Sequence, residues 1–431
     1  MTEYVQLACV GVAQVDGSHY REILIRFTRQ IPLLNTKRSD DRHAMRNVAI
    51  LVYAQAILGS QLGINMILGG LAGAYLADDP SFATLPISIN VLVTMLCAPI
   101  ASLLMGHIGR RAGFIGGTVF GAAGGCLSAY ALLTGSFALL LAGAACTGVF
   151  QSFQGFFRFA AADTASDSFK PKAISWVMGG GLMSAIIGPE IVHATADMYT
   201  PVPFAGAYVA VVGVNIVGAI GLLFLRIPTP ARKVKGEKSG RPLSEIFRQQ
   251  KVIVAVLCGM VSFALMSLVM TSTPLAMVHH GFNTHHAADV VRLHALSMFA
   301  PSFFTGSLIA RFGHGKVIGT GLMLLGVCGV IALSGFELAH FYWALIALGI
   351  GWNFGFIGAT SLLSTAYTRD EQAKVQGLND FLVFGLVAFA SFSSGALLNG
   401  YGWETVQYAM IPGLSIAAIA LAWLSFSREK A

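Results

Sequence analysis

Charge is what this sequence has least of. Asp, Glu, Lys and Arg make up 11% of its 431 residues, against about 25% in soluble domains. A soluble enzyme of this size needs that charge for its surface, so the composition excludes one. Cysteine is equally sparse. The six (Cys9, Cys97, Cys126, Cys146, Cys258, Cys328) are scattered, with no CxxC pair and no zinc spacing, which excludes a disulfide framework and a zinc module. They read as small buried apolar residues. There is no Walker loop and no nucleophile–base constellation, so neither ATP-driven transport nor an enzyme is expected. Alternating segments of about ten residues, the mark of a membrane β-barrel, are missing as well.

What is present is apolar length. Hydrophobic residues are 55% of the chain and the mean hydropathy is +0.70. At about 20 residues per membrane helix, twelve helices need about 240 residues, a little over half the chain. The runs fall at 47–76, 84–105, 113–132, 136–160, 173–194, 204–226, 251–277, 287–310, 317–336, 340–362, 377–398 and 405–427. The expected fold class is therefore an all-α integral membrane protein with 12 transmembrane helices in two six-helix, pseudo-symmetric bundles. Residues 1–46 read as a poorly ordered cytoplasmic extension, 47–226 as the first bundle, 227–250 as a basic, proline-broken linker, and 251–431 as the second bundle with a short tail.

The net charge of +7 follows the same division. Of 27 Lys and Arg, seven lie in the first 46 residues and eight between Arg226 and Lys251. Arg110, Arg111, Lys170, Lys172, Arg311, Lys316, Arg369, Lys374, Arg428 and Lys430 fall on the same side. Only Arg292 lies toward the other, and Arg158 is expected to snorkel at an inner helix end. The positive-inside rule puts both termini in the cytoplasm. The basic balance thus records orientation in the lipid bilayer, with no nucleic-acid partner.

Internal repetition supports two halves. GHIGRRAGFIGG (Gly106–Gly117) and ARFGHGKVIGTG (Ala310–Gly321) each follow the second span of their half. On these residues the chain resembles the major facilitator superfamily. That family's loop signature G-x-x-x-D-R-x-G-R-R ends in Gly109-Arg110-Arg111, although Gly106 and His107 stand at its Asp and Arg positions. The fourth-span signature R-x-x-Q-G is present as Gln151 to Gly155, with Gln151 replacing the Arg. The resemblance implies a secondary transporter.

The second half carries a chemical pattern of its own. Met266 and Met270 are four residues apart on the seventh span, and His294 and Met298 have the same spacing on the antiparallel eighth. Spacing of four puts each pair on one helix face. Three thioethers and an imidazole form a soft ligand set suited to Cu(I). An isolated M-x-x-x-M is more often packing, whereas a histidine inside the membrane is functional by default. Cys258 is near the pair, with packing its expected role. These two pairs resemble the signature of the CcoA-type copper importers, a bacterial branch of the superfamily. GIGWNFGFIGATSLLSTAY (Gly349–Tyr367) and AKVQGLNDFLVFG (Ala373–Gly385) resemble the wider branch, which also contains riboflavin-type transporters.

The resemblance implies Met266, Met270, His294 and Met298 as copper-binding residues. It implies copper import across a bacterial inner membrane for haem–copper oxidase assembly, with cytoplasmic copper chaperones as downstream partners. Copper is then the cargo, no resident cofactor is expected, and the protein is expected to act as a monomer. The alternatives are an organic solute such as riboflavin, with the methionines as packing, or a copper sensor that does not translocate.

Further candidates surround this set. Met277, His279, His280, His285 and His286 read as an external capture loop or as an ordinary polar loop. Glu190, beside His193 on the fifth span, and Asp380 on the eleventh are candidates for coupling or gating, with Asp380 expected to pair with a loop Arg or Lys. Gln151, Gln154 and Arg158 form a polar stripe that either lines the path or bridges helices, and Gln55, Gln61 and Asn65 share that ambiguity.

Overall fold

The computed structural model describes residues 37–79, 82–228 and 240–428. Among them the first half comprises α1 (Lys37–Leu76), α2 (Leu85–Ile108), α3 (Arg110–Thr134), α4 (Phe137–Gln154), α5 (Phe157–Asp163), α6 (Lys170–Thr195) and α7 (Ala205–Leu222). A short α8 (Leu243–Ile246) precedes the second half. That half holds α9 (Gln250–His279), α10 (Thr284–Phe299), α11 (Ser302–Phe312), α12 (His314–Leu333), α13 (Leu338–Leu363), α14 (Gln372–Tyr401), α15 (Trp403–Tyr408) and α16 (Met410–Arg428). Among the described residues eleven helices are long and apolar enough to cross a membrane, or twelve if the bent pair α10–α11 counts as one span.

The two halves repeat one another down to the backbone. The turn between α2 and α3 passes through Gly109 at φ 87° and ψ 158°, and the turn between α11 and α12 through Gly313 at φ 86° and ψ 159°. That corner of dihedral space is open essentially only to glycine. Each glycine N–H closes the preceding helix, on Met105 in one case and Ile309 in the other. Substituting either would strain the tightest turn of its half.

Two expectations about element boundaries are corrected. The first helix starts at Lys37, earlier than expected, because its polar turns tie down other segments. Asp41 accepts from the Ser166 N–H and hydroxyl at 3.3 and 3.2 Å, and Asn47 donates to the Arg226 carbonyl at 2.8 Å. The extension up to residue 36 and linker residues 229–239 lie outside the described residues. The eighth span is bent by 40° where Pro301 interrupts the helix. Proline removes one ladder hydrogen bond and clashes with the preceding turn, so a single apolar run in the sequence becomes two helices.

Within the first half, α1 packs on α6 and α7, α3 on α4 and α7, and α2 on α4. Within the second, α9 packs on α13 and α14, α12 on α13, and α10 on α13. The halves meet through two equivalent contacts, α2 with α14 and α6 with α10 and α11. Most of the main apolar core, including fully buried Phe341, Leu348 and Phe356, lies in the second half.

Candidate substrate path between the two halves

The halves are held together at the end that carries the basic turns. Ser102 on α2 donates to the Ala373 carbonyl at the start of α14, at 2.7 Å. Arg110 bonds Asp163 at 2.9 Å and reaches across to Gln376, whose amide donates to the Tyr367 hydroxyl at 2.7 Å. Deeper in, Arg158 on α5 pairs with Asp380 on α14, and their side chains are only 5% and 0% exposed. Asn379 donates to the same Asp380 oxygen at 2.9 Å. The second oxygen, Oδ2, has no partner among the described residues. It faces Gly155, where a Cβ would stand 3.3 Å away.

This arrangement corrects two expectations. Arg158 does not snorkel: it is buried, with its guanidinium 4.6 Å from the Phe159 ring centroid and 4.7 Å from that of Phe356. Asp380 pairs with that helical arginine of the other half and not with a loop cation. A guanidinium is planar and weakly hydrated, so two aromatic faces and one carboxylate can hold it away from water. The ties of Arg110 to Asp163 and Gln376 are not legible in the sequence, because the signature aspartate is absent at Gly106 and nothing local says what replaces it.

One turn farther from the basic end lies a tier of aromatic rings. Phe263 of α9 meets Trp352 and Phe356 of α13 at centroid distances of 5.5 and 5.1 Å, and Phe384 of α14 at 5.9 Å. Trp352 and Phe356 are near-parallel at 5.4 Å, and Phe299 closes the group 5.8 Å from Trp352. Phe263, Phe299 and Phe384 are only half-buried. The Trp352 Nε1 donor is buried and without a partner among the described residues.

The first half adds a cleft lined in part by Asn65, Met66, Asn90, Thr147, Gln151 and Tyr208. The Asn65 and Gln151 amide nitrogens have no partner among the described residues. Gln151 stands one turn from Gly155, which a Phe384 ring atom approaches to within 3.7 Å of a Cβ position. An unpaired amide donor thus sits above the rim of the tier. Gln61 is different: it is fully buried, donates to Thr147 at 3.5 Å and accepts from Asn215 at 2.8 Å, so it bridges helices.

Met266 and Met298 are buried in the main apolar core, and half-buried Met270 packs against it. His294 is 1% exposed and bonds the Leu345 carbonyl through Nδ1 at 2.8 Å. A carbonyl only accepts, so Nδ1 carries the proton and Nε2 presents a lone pair, unpartnered among the described residues. Cys258 is buried with its thiol 3.9 Å from the Ala417 carbonyl, a packing position.

The loop between the seventh and eighth spans is shorter than expected. Met277 is fully buried within α9, His279 is that helix's last residue, and His286 lies in the first turn of α10, capped by the Asn283 side chain. His280 stacks on Phe336 at 4.3 Å. The His285 side chain lies outside the described residues. Glu190 and His193 are exposed on α6. At 100° per residue, His193 falls in line with Ser175, which touches the other half, and Glu190 about 60° from it. Both therefore fall on or near the face of α6 that Ser175 turns to the second half.

The model of the Major Facilitator Superfamily matches residues 49–391 and 256–431. The chain belongs to the major facilitator superfamily. The riboflavin transporter RfnT of Brucella anthropi is 43% identical over 384 residues, covering 89% of this chain and 96% of that protein. The uncharacterized transporter YddS of Bacillus subtilis is 27% identical, covering 88% and 89%. Among solved structures, the superfamily transporter FucP in the outward conformation superposes at a TM-score of 0.72 with 16% identity, covering 88% and 99%. A bacterial homologue of the iron transporter ferroportin gives 0.68 with 14% identity, covering 88% and 99%.

The likeness to RfnT overturns copper as the cargo, and with it oxidase assembly as the destination. The physical source of the error is the spacing. An interval of four marks a metal-binding face and an ordinary packed face alike, and Met266 and Met298 lie in apolar core.

The described end of the central linker is tied to the second half. Buried Glu371, in the connection before α14, accepts from the Arg241 guanidinium at 2.7 and 2.8 Å and from the Arg241 and Thr368 N–H groups at 3.0 Å each. Lys374 donates to the Arg241 carbonyl. Hydrogen bonding from Arg241 holds the Glu371 carboxyl well below the usual carboxylate range, against the opposing effect of burial. A depressed carboxyl contributes stability above its unfolded value of about 4.3 and loses it as pH falls toward the folded value. Glu371→Gln should therefore lower the thermal midpoint at neutral pH, and the gap to wild type should close on acidification below about pH 4. Melting curves of both proteins across pH check this; a gap that does not narrow in acid would refute it.

Proposed function

We propose that this protein is a secondary transporter that imports riboflavin, or a flavin of the same shape, across a bacterial inner membrane. The observation that carries the reading is the 43% identity to a riboflavin transporter over nearly all of that protein's length. The aromatic tier supports it physically. Isoalloxazine is a flat, polarisable ring with acceptor atoms along one edge. The half-buried rings of Phe263, Phe299 and Phe384 offer it stacking faces, and the unpaired donors of Gln151, Asn65 and Trp352 suit its edge. A mostly apolar path with a few placed polar groups is the usual composition of a small-molecule site.

The clustering of basic residues supports cytoplasmic termini. In that orientation the joined end faces the cytoplasm and the cleft opens outward. Import then consists of flavin entering past Glu190 and His193, settling on the tier, and leaving inward once the Arg158–Asp380 pair parts. Arg158 and Asp380 are gating residues in this scheme, and Glu190 acts at the mouth. Both walls of the path come from one chain, so a monomer is sufficient.

Expression in a bacterial strain that neither makes nor imports riboflavin tests the reading. Growth at limiting riboflavin and saturable uptake of labelled riboflavin are expected. Membrane-inserted protein that supports neither would sink it.

A further inference from the structure

The contact between α6 and the bent span contains a tie that no sequence motif announces. Ser175 is fully buried on α6. Its hydroxyl donates to the Ser302 carbonyl and accepts from the Gly306 N–H at 2.9 Å. Ser302 and Gly306 are four residues apart, the pair that an α-helix joins directly. A hydroxyl from one half thus straddles a single rung in the first turn of α11 in the other half.

The surroundings are built for this approach. A Cβ on Gly306 would come within 2.5 Å of the Lys172 Cα and the Pro171 carbonyl oxygen. A Cβ on Gly181 would meet the Phe299 ring at 2.4 Å. The bend itself does not depend on Ser175, because Asn353 braces it from within its own half. Asn353 donates to the Met298 carbonyl and the Ser302 hydroxyl at 2.6 Å each, and accepts from Thr305 at 2.6 Å.

The consequence lies in what happens when the halves separate at this end. Freed from Ser175, the Ser302 carbonyl and the Gly306 N–H have each other. The Ser175 hydroxyl can turn to the carbonyl four residues back on its own helix, a common serine habit. No polar group is stranded. The equivalent contact on the other side of the pseudo-symmetry has the donating half of this arrangement, with the Ser102 hydroxyl on the Ala373 carbonyl in the first turn of α14. The Arg158–Asp380 pair differs, since parting it leaves two charges that only water can satisfy.

We infer that Ser175 is a positioning residue of the transport cycle, a releasable latch whose hydroxyl biases the equilibrium toward closure at the basic end. It rests on superfamily membership and not on the identity of the cargo. It is tested without substrate, by spin labels attached through a ketone-bearing unnatural residue at positions 112 and 316, so that no cysteine takes a label. Both positions are exposed on the basic-end turns of opposite halves.

Ser175→Ala should raise the ratio of long to short inter-label distances about fivefold, as expected for losing one net hydrogen bond, since the other is replaced on opening. Ser175→Cys, which keeps the volume and a weak donor, should fall between alanine and wild type. Thermal stability should change little in either, because Asn353 still holds the bend. An unchanged distance distribution in both variants overturns the inference. So does a loss of stability with no change in the ratio. If the alanine variant does not insert, the cysteine variant decides by the same criterion. Failure of riboflavin uptake in the wild-type protein would leave the distance result untouched, so the two readings fail separately.

Discussion

Arg158→Leu is expected to reduce transport by about a hundredfold or more, with protein still present in the membrane. Removing one partner of a buried ion pair costs about 3–5 kcal/mol, because the other charge stays buried and uncompensated; that cost falls on the state closed at the basic end, and at about 1.4 kcal/mol per factor of ten it depletes that state by about a hundredfold or more. Here the remaining charge is Asp380, which already has one oxygen unpartnered among the described residues. Asp380→Asn should be damaging in the same way, leaving Arg158 against the Phe159 and Phe356 rings without its counter-charge. The double variant Arg158→Met with Asp380→Leu separates gating from folding. Apolar replacement of a whole buried pair is often neutral or stabilising, so thermal stability should return. Transport should not, because a greasy contact between α5 and α14 has no charged partners to exchange for water on opening. Initial rates of labelled riboflavin uptake and melting curves of purified protein check both parts. Near-normal uptake by the double variant would show that the pair is structural only.

How far the sequence carried the description depends on the kind of signal. The spans were legible because lipid imposes them: about 20 apolar residues leave a mark that packing cannot hide, and the run at 340–362 became α13 at Leu338–Leu363. The repeat was legible because Gly109 and Gly313 occupy a backbone conformation only glycine tolerates. The break at Pro301 is visible as a residue, yet the apolar run continues through it, since proline inside a membrane helix is compatible with a mild kink or a full interruption. The decision depends on Asn353, which takes up the Met298 carbonyl from α13, far away in sequence.

The path was harder to read. Asp380 stood out because a carboxylate in a membrane helix is costly, but its partner is 222 positions away on another helix. No spacing rule reaches that far. The aromatic tier was missed for a related reason. Phe263, Phe299, Trp352, Phe356 and Phe384 come from four different spans, among 29 Phe and five Trp in an apolar chain. Only their mutual distances mark them. The methionine and histidine pairs attracted notice because they are local, and locality is not evidence of a site.

The tier therefore sets the last and most direct expectation, in which stacking and hydrogen bonding can be told apart. Phe263→Ala removes the ring that touches Trp352, Phe356 and Phe384 together. Stacking of a flat heterocycle on an aromatic side chain contributes about 1–3 kcal/mol, so the half-saturation constant for riboflavin should rise roughly tenfold to a hundredfold, while Phe263→Tyr should stay near wild type. Trp352→Phe keeps a ring but deletes the unpaired Nε1 donor. If that donor bonds the flavin edge, affinity should fall by a further factor of about five to ten, in line with one neutral hydrogen bond. An analogue lacking the corresponding acceptor should then bind both proteins equally. Quenching of flavin fluorescence on titration with purified protein gives the binding constant without relying on flux. Loss of affinity in Phe263→Ala with no difference between tryptophan and phenylalanine at 352 would mean that the tier recognises flatness alone. In that case edge recognition belongs to Gln151 and Asn65 in the other half, and Gln151→Leu becomes the substitution that should change the choice among flavins. Unchanged affinity in Phe263→Ala would remove the flavin from the tier altogether.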